Sequence, residues 1–357
     1  MSKESYNLDD VVKDAQGKMR YINLGPSGLR VSRISLGMMS YGNKKWLDWV
    51  LEEDEALPLI KAAYDVGIQF FDTADIYSNG YSHKVLAKAI KQYNLPREDI
   101  VVATKLFALI PRDFEKGLDQ LSREERERRH YSNQQGLSRK HIFDSVERSL
   151  KELDLEYIDL LQIHRADENT PFEETMCALK DIVQSGKVRY IGASSMFAWQ
   201  FMEYQSIAKR NGWPQFISMQ NYYCASYREE EREMMPCIKK MGISSLPWSP
   251  IAGGYLARPH AQQRGMTSRG DKEIPREDTE IAVNEAIKSV ADRLGITMAQ
   301  VAIAWTLANP VVAAPIVGIS NARSLDDAVK ALDVVLSDED KEKIGSAYTV
   351  RKIIGHS

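Results

Sequence analysis

Short apolar runs rich in β-branched residues alternate along the chain with longer stretches whose apolar positions recur every three to four residues. The runs Val31–Leu36, Ile68–Phe71, Ile100–Thr104, Tyr157–Ile163, Val188–Ala193, Phe216–Met219, Ile243–Leu246 and Ala313–Val317 have the length and composition of buried strands. Between them, His141–Leu153 sets Ile142, Val146, Leu150 and Leu153 on one helical face, with Ser138 placed to cap its start. Asp54–Val66, Pro171–Ser185, Arg228–Met241 and Arg323–Leu332 repeat that helical pattern. Eight strands alternating with helices predict a parallel sheet, and eight such units close a (β/α)8 TIM barrel. The competing architecture is an open doubly wound sheet, which when it binds a dinucleotide carries G-x-G-x-x-G at its first βα turn. Here Gly25 and Gly28 precede the first strand, so the barrel is favoured.

Three segments stand outside the repeat. Met19–Leu29, with the turn signal Gly25-Pro26-Ser27-Gly28, predicts a short N-terminal hairpin. Phe107–Arg139 and Ile251–Asp278 are long loops after strands 3 and 7, at the barrel end where chemistry takes place. The charged stretch Ser122–Arg129 in the first of them reads as a short solvated helix. Residues 1–18 read as a polar tail and 19–357 as a single (β/α)8 domain.

Composition narrows the function classes. Lys and Arg number 47 against 50 Asp and Glu, a net charge of -3, which gives no electrostatic reason to expect nucleic acid or a membrane surface as partner. No apolar run approaches the ~18 residues of a membrane span, and the first residues lack the apolar core of a secretory signal. Cys177, Cys224 and Cys237 show neither metal-ligand spacing nor an even framework, so no metal site is expected and a reducing, cytoplasmic setting fits best.

Four polar residues fall at or just past the C-terminal ends of predicted strands: Asp72, Lys105 and His164, with Tyr77 in the loop that Asp72 opens. Taken singly, each has an ordinary explanation: a loop cap, a surface ammonium, a packed ring, a structural histidine. Together they predict an acid, a phenol, an ammonium and an imidazole converging at one rim.

The run Asp72-Thr73-Ala74-Asp75-Ile76-Tyr77, the strand end Ala103-Thr104-Lys105 and Gln162-Ile163-His164 resemble the aldo-keto reductase superfamily. Gly192-Ala193-Ser194-Ser195, Met219-Gln220-Asn221, Trp248-Ser249-Pro250 and Pro315-Ile316-Val317-Gly318 extend the resemblance, in the family's order, from about Tyr21 to the end of the chain. Gly136-Leu137-Ser138-Arg139-Lys140-His141 and the ending Ile354-Gly355-His356 resemble the fungal branch with aryl-alcohol-dehydrogenase-like and versiconal-hemiacetal-acetate-reductase-like members.

The resemblance implies an NADPH-dependent reduction of an aldehyde, ketone or hemiacetal, with an aromatic substrate expected. Asp72, Tyr77, Lys105 and His164 are the implied catalytic set. A neutral phenol is a reluctant acid, and an adjacent ammonium stabilises the phenolate it leaves behind. Asp72 would keep Lys105 charged and in place, and His164 would orient the carbonyl. Ser194, Ser195 and Gln220 would hold the nicotinamide carboxamide, with Trp248 stacked on its ring, and Gly37, Met38, Met39 and Asp72 beside the cofactor. Ser249, Pro250, Ile251, Gly253, Gly254 and Arg269 would follow the pyrophosphate, and Gly318, Ser320, Asn321, Arg323, Ser324 and Asp327 the adenosine end. The chain departs from the family pattern at three positions. Ser195 replaces a common Asn, Ser324 a common Gln or Arg, and Ala328 a common Asn, which leaves Arg323 as the cation for a 2′-phosphate. Tyr41, Trp46 and Trp49, with Tyr77 and His164, would line the substrate cavity. The alternative is a channel-β-subunit-like protein that binds NADPH as a redox-sensing partner and turns over slowly. A long N-terminal segment before the first hairpin would mark that class, and this chain has a short one.

Overall fold

The computed structural model describes residues 6–112, 121–263 and 279–356. Strand and helix alternate in the (β/α)8 order behind a small antiparallel hairpin. The chain falls into two compact units, one comprising residues 37–60, 70–220 and 355–357, the other residues 1–36, 61–69 and 221–354.

In the first unit, β4 (Phe70–Asp72), β5 (Val101–Leu106), β6 (Ile158–Ile163), β7 (Val188–Ser194) and β8 (Ser218–Gln220) lie side by side in chain order, every neighbouring pair parallel. β4, β5, β6 and β8 are buried at every position, as a parallel sheet covered on both faces requires. Helices Tyr81–Gln92, Arg139–Leu153, Phe172–Gln184 and Ala198–Asn211 make the crossovers. Ser138 caps Arg139–Leu153 by accepting from the His141 N–H, as its sequence predicts. The charged stretch after β5 is a helix, Arg123–Arg128, opened by a capping box between Ser122 and Glu125.

In the second unit, β1 (Tyr21–Asn23) and β2 (Arg30–Ser32) form the predicted hairpin, with Tyr21 opposite Ser32. The run Val31–Leu36, expected as one strand, is divided: Val31 and Ser32 close the hairpin, and Ser35 and Leu36 in β3 (Ser35–Gly37) pair in parallel with β10 (Ile316–Val317). The break sits at Arg33, whose guanidinium donates to the carbonyls of Val312 and Ala313 at 2.7 and 3.0 Å. The short β9 (Ser244–Ser245) bridges to Val312. The segment read as a polar tail contains a helix, Leu8–Ala15, capped by Asn7 and held by burial of Val11 and Ala15. No helix among the described residues is long and apolar enough to cross a membrane.

Candidate active site

The site is organised around Lys105, a residue of β5 itself rather than of the loop after it. Its side chain is fully buried, where an ammonium persists only if every N–H finds an acceptor. Three acceptors are present: the Asp72 Oδ1 carboxylate oxygen, the Thr73 carbonyl at 2.9 Å and the Tyr77 hydroxyl at 3.2 Å. Burial alone pulls the ammonium towards neutrality. The Asp72 carboxylate and the Tyr77 hydroxyl outweigh it and hold Lys105 above its ordinary range.

Asp72 ends β4, and its second oxygen accepts from Gln162 Nε2 at 3.0 Å and Gln220 Nε2 at 2.9 Å. Gln220 Nε2 also donates to Gln162 Oε1 at 2.9 Å. The strand register produces this arrangement: Lys105 pairs with Gln162, Gln162 with Gly192, and Ser194 with Gln220. Both carboxylate oxygens are therefore satisfied, the condition under which a buried ion pair is tolerable.

Tyr77 opens a short 3-10 turn, half-buried, with its hydroxyl at the ammonium. His164 directly follows β6, its backbone N–H donating to the Leu106 carbonyl at 2.9 Å. Its ring stands edge-on to Tyr77, with centroids 6.1 Å apart and planes at 81°. Burial, with the nearby Arg165 and Lys105 cations, lowers His164 well below the usual histidine range, so the imidazole is neutral at neutral pH. Trp46 also approaches Tyr77, at 6.4 Å between ring centroids. The four residues singled out in the sequence thus come together in one cluster.

In the same unit, the Ser194 hydroxyl donates to the Gln220 carbonyl at 2.7 Å and lies 3.4 Å from that of Ser195. Ser195 adopts φ 43°, a left-handed conformation uncommon outside glycine. Met38 and Met39 form a 3-10 turn after Gly37. Of the expected substrate residues, Trp49 is half-buried, whereas Tyr41 is fully buried.

The remaining cofactor candidates belong to the other unit. Trp248 is half-buried and stacks on Tyr222 (4.5 Å, 16°), which stacks in turn on Tyr227. After it, Ser249, Ala252, Gly253 and Gly254 all have positive φ, and a Cβ on Gly254 would enter open space. Pro250 is buried and Ile251 half-buried. Beyond β10 and Gly318, Asn321 caps the helix Ala322–Lys330. It accepts from the Ser324 N–H, while the Ser324 hydroxyl accepts from the N–H groups of Ser320 and Asn321. Arg323 projects into solvent, with Tyr6 beneath its guanidinium at 5.9 Å. The buried Asp327 carboxylate accepts from Thr297 and Gln300. Arg269 lies outside the described residues.

Sequence reasoning did not single out Gln162 or Thr73 as parts of this cluster, nor Tyr222 as the partner of Trp248. For Gln162 a signal exists: it is the lone amide in the otherwise apolar end of the run Tyr157–Ile163. The Thr73 contact is made by a carbonyl, which no residue identity encodes.

Residues 33–349 match the model of the Aldo/keto reductase family. The chain is 46% identical over 341 residues to a versiconal hemiacetal acetate reductase of Aspergillus parasiticus, an alignment covering 94% of this chain and 98% of that protein. A Schizosaccharomyces pombe protein bearing an aryl-alcohol dehydrogenase name is 46% identical over 335 residues, 91% of this chain and 94% of that one. The aldo-keto reductase dtxS3 of Metarhizium robertsii is 42% identical over 352 residues, 96% and 95% of the two chains.

Proposed function

The chain belongs to the aldo/keto reductase family, and from that premise we propose that it reduces aldehydes, ketones or hemiacetals with NADPH, using Tyr77 as proton donor. The observation that carries this reading is the buried Lys105 ammonium, bound on one side to Asp72 and on the other to the Tyr77 hydroxyl. Reduction adds hydride to the carbonyl carbon and a proton to its oxygen. Reduced nicotinamide, when bound, would supply the hydride. Tyr77 gives its hydroxyl proton to the oxygen, Lys105 stabilises the phenolate that remains, and solvent restores the proton. Asp72, fixed by Gln162 and Gln220, keeps the ammonium charged and aimed. His164, being neutral, donates a hydrogen bond to the carbonyl oxygen without adding a charge. Trp46 beside Tyr77 offers an aromatic wall, which favours aryl aldehydes.

Each of the two units carries residues of the kinds that a nicotinamide dinucleotide would use. In one unit, Ser194 and Ser195 carry hydroxyls suited to the carboxamide; in the other, half-buried Trp248, stacked on Tyr222, is an aromatic suited to a flat ring. The left-handed run through Gly253 and Gly254, with open space where a Cβ on Gly254 would stand, would let backbone approach a pyrophosphate closely. Arg323, exposed and followed by the capped helix start, is the candidate reader of a 2′-phosphate.

Two results are expected. Purified protein oxidises NADPH in the presence of 4-nitrobenzaldehyde, followed by loss of nicotinamide absorbance; absence of turnover across a panel of aldehydes would remove the enzymatic reading. Arg323→Ala raises the Kd for NADPH about ten-fold, the weight of one charge-assisted contact, and that for NADH less than two-fold. Equal losses for both cofactors would show that Arg323 does not distinguish them.

A further inference from the structure

Next to Tyr77 lies a second polar cluster, buried at its centre and half-buried on the helix side, for which the proposed chemistry has no use. Arg148 and Glu152 stand one turn apart on the helix Arg139–Leu153 and reach the loop that carries Tyr77. Arg148 Nη2 lies 3.5 Å from Asp75 Oδ2, and Glu152 Oε2 lies 2.9 Å from His83 Nδ1. His83 Nε2 is 2.8 Å from the hydroxyl of Thr104, the residue before Lys105. The Asp75 N–H donates to the Lys105 carbonyl at 3.1 Å. Asp75, His83 and Thr104 are completely buried. Asp75 and His83 bracket Tyr77 in the chain, and Thr104 and Lys105 are neighbours in β5, so the cluster ties both members of the phenol–ammonium pair to one helix face.

The loop needs holding. Ser78 and Asn79 both adopt left-handed φ, 48° and 52°, a conformation unfavourable for residues with a Cβ. Gly80 follows at φ +87°, with the Glu152 carboxylate oxygens 2.6 Å from where a Cβ would stand. This backbone persists only if its surroundings enforce it, and Glu152 is packed directly on it.

We propose that Arg148 and Glu152 are positioning residues that grip the loop on both sides of Tyr77, through Asp75 and His83, and so fix the phenol at the Lys105 ammonium. The inference rests on the reading of Tyr77 as proton donor. A purely structural ion-pair network would share the distances, but its loss would lower stability without a selective effect on turnover.

The grip has a pH dependence of defined sign. Neither Asp75 oxygen makes a hydrogen bond of ordinary geometry among the described residues. Burial first, and Glu152 in addition, push Asp75 up to about 7 against the pull of Arg148 and Lys105. His83, the remaining titratable neighbour in the cluster, is lowered by burial against the pull of Glu152. Above about pH 7 Asp75 is ionised and its pair with Arg148 is complete; below it the carboxyl is neutral and the grip weakens.

The test is steady-state reduction of 4-nitrobenzaldehyde by NADPH between pH 6 and 9, with NADPH Kd from fluorescence titration and Tm recorded for every variant. Arg148→Met and Glu152→Gln are expected to lower kcat roughly ten-fold, the scale of a sub-ångström misplacement, with KM and Kd within about two-fold of the wild type. Arg148→Lys recovers most of the loss. Wild-type kcat falls as pH drops below about 7, and Asp75→Asn removes that fall. Should Arg148→Met not fold, Asp75→Asn/Arg148→Gln, which removes both charges, replaces it with the same expected loss. Folded variants with wild-type kcat, loss of kcat without rescue by lysine, or a pH profile unchanged in Asp75→Asn would overturn the proposal. Tyr77→Phe is measured alongside. Full activity there sinks the proton-donor reading itself, whereas its loss together with wild-type Arg148 and Glu152 variants sinks the positioning role alone.

Discussion

Lys105→Met lowers kcat by roughly 10²- to 10³-fold, the usual loss when a preorganised charge is withdrawn from a developing anion. It also destabilises the fold. The two effects arise from opposite sides of one ammonium. Towards Tyr77 it faces the group that, in the proposed mechanism, becomes negative during reduction. Towards Asp72 it neutralises a carboxylate with almost no solvent contact. Methionine matches the length of the stem and leaves that carboxylate buried with only the Gln162 and Gln220 amides as partners. Stranding one member of a buried pair costs about 3–5 kcal/mol. Adding Asp72→Asn removes the stranded charge, so the double variant should regain most of the lost stability and none of the lost activity. Denaturant midpoints and kcat for the three proteins separate the terms. A single variant as stable as the wild type, or a double variant with restored kcat, would contradict this account of the pair.

How much of this was legible in the sequence differs from residue to residue. The eight-fold alternation was readable because parallel strands buried on both faces are continuous apolar runs, and Ser138 announced a helix start that the structure contains. The division of Val31–Leu36 was not readable, because Val31, Ile34 and Leu36 are all fully buried and the bend is made by Arg33 reaching carbonyls near residue 312. Leu8–Ala15 passed for a tail because only Val11 and Ala15 bury, too few positions to establish a period. Met298–Leu307 is buried along nearly its whole length, so no apolar stripe distinguishes it from a strand-like run.

Within the site, Asp72, Tyr77, Lys105 and His164 could be singled out because polar groups at strand ends are conspicuous. Asp72 and Lys105 lie inside their strands rather than after them, because pairing carries β4 one residue and β5 two residues past the predicted ends. The amides that fix Asp72 could not be assigned, since their meeting depends on the register of β5, β6, β7 and β8. Arg148 and Glu152 look in sequence like ordinary charges on an amphipathic helix. Only the packing of that helix against the Tyr77 loop distinguishes them from its solvated face.

The account as a whole depends on the Tyr77 hydroxyl. Phenylalanine keeps the ring that packs near Trp46 and His164 and removes the oxygen at the ammonium, so the substitution isolates the proton. General acid catalysis contributes about 10²- to 10⁴-fold, and a phenol bonded to a buried ammonium belongs in the upper part of that range. The decisive measurement is kcat for Tyr77→Phe with NADPH and 4-nitrobenzaldehyde, accompanied by a fluorescence titration of NADPH binding. The expected result is a fall in kcat of about 10³-fold with cofactor affinity within about three-fold of the wild type. A variant that reduces the aldehyde at a rate near that of the unaltered protein would contradict the account at its centre.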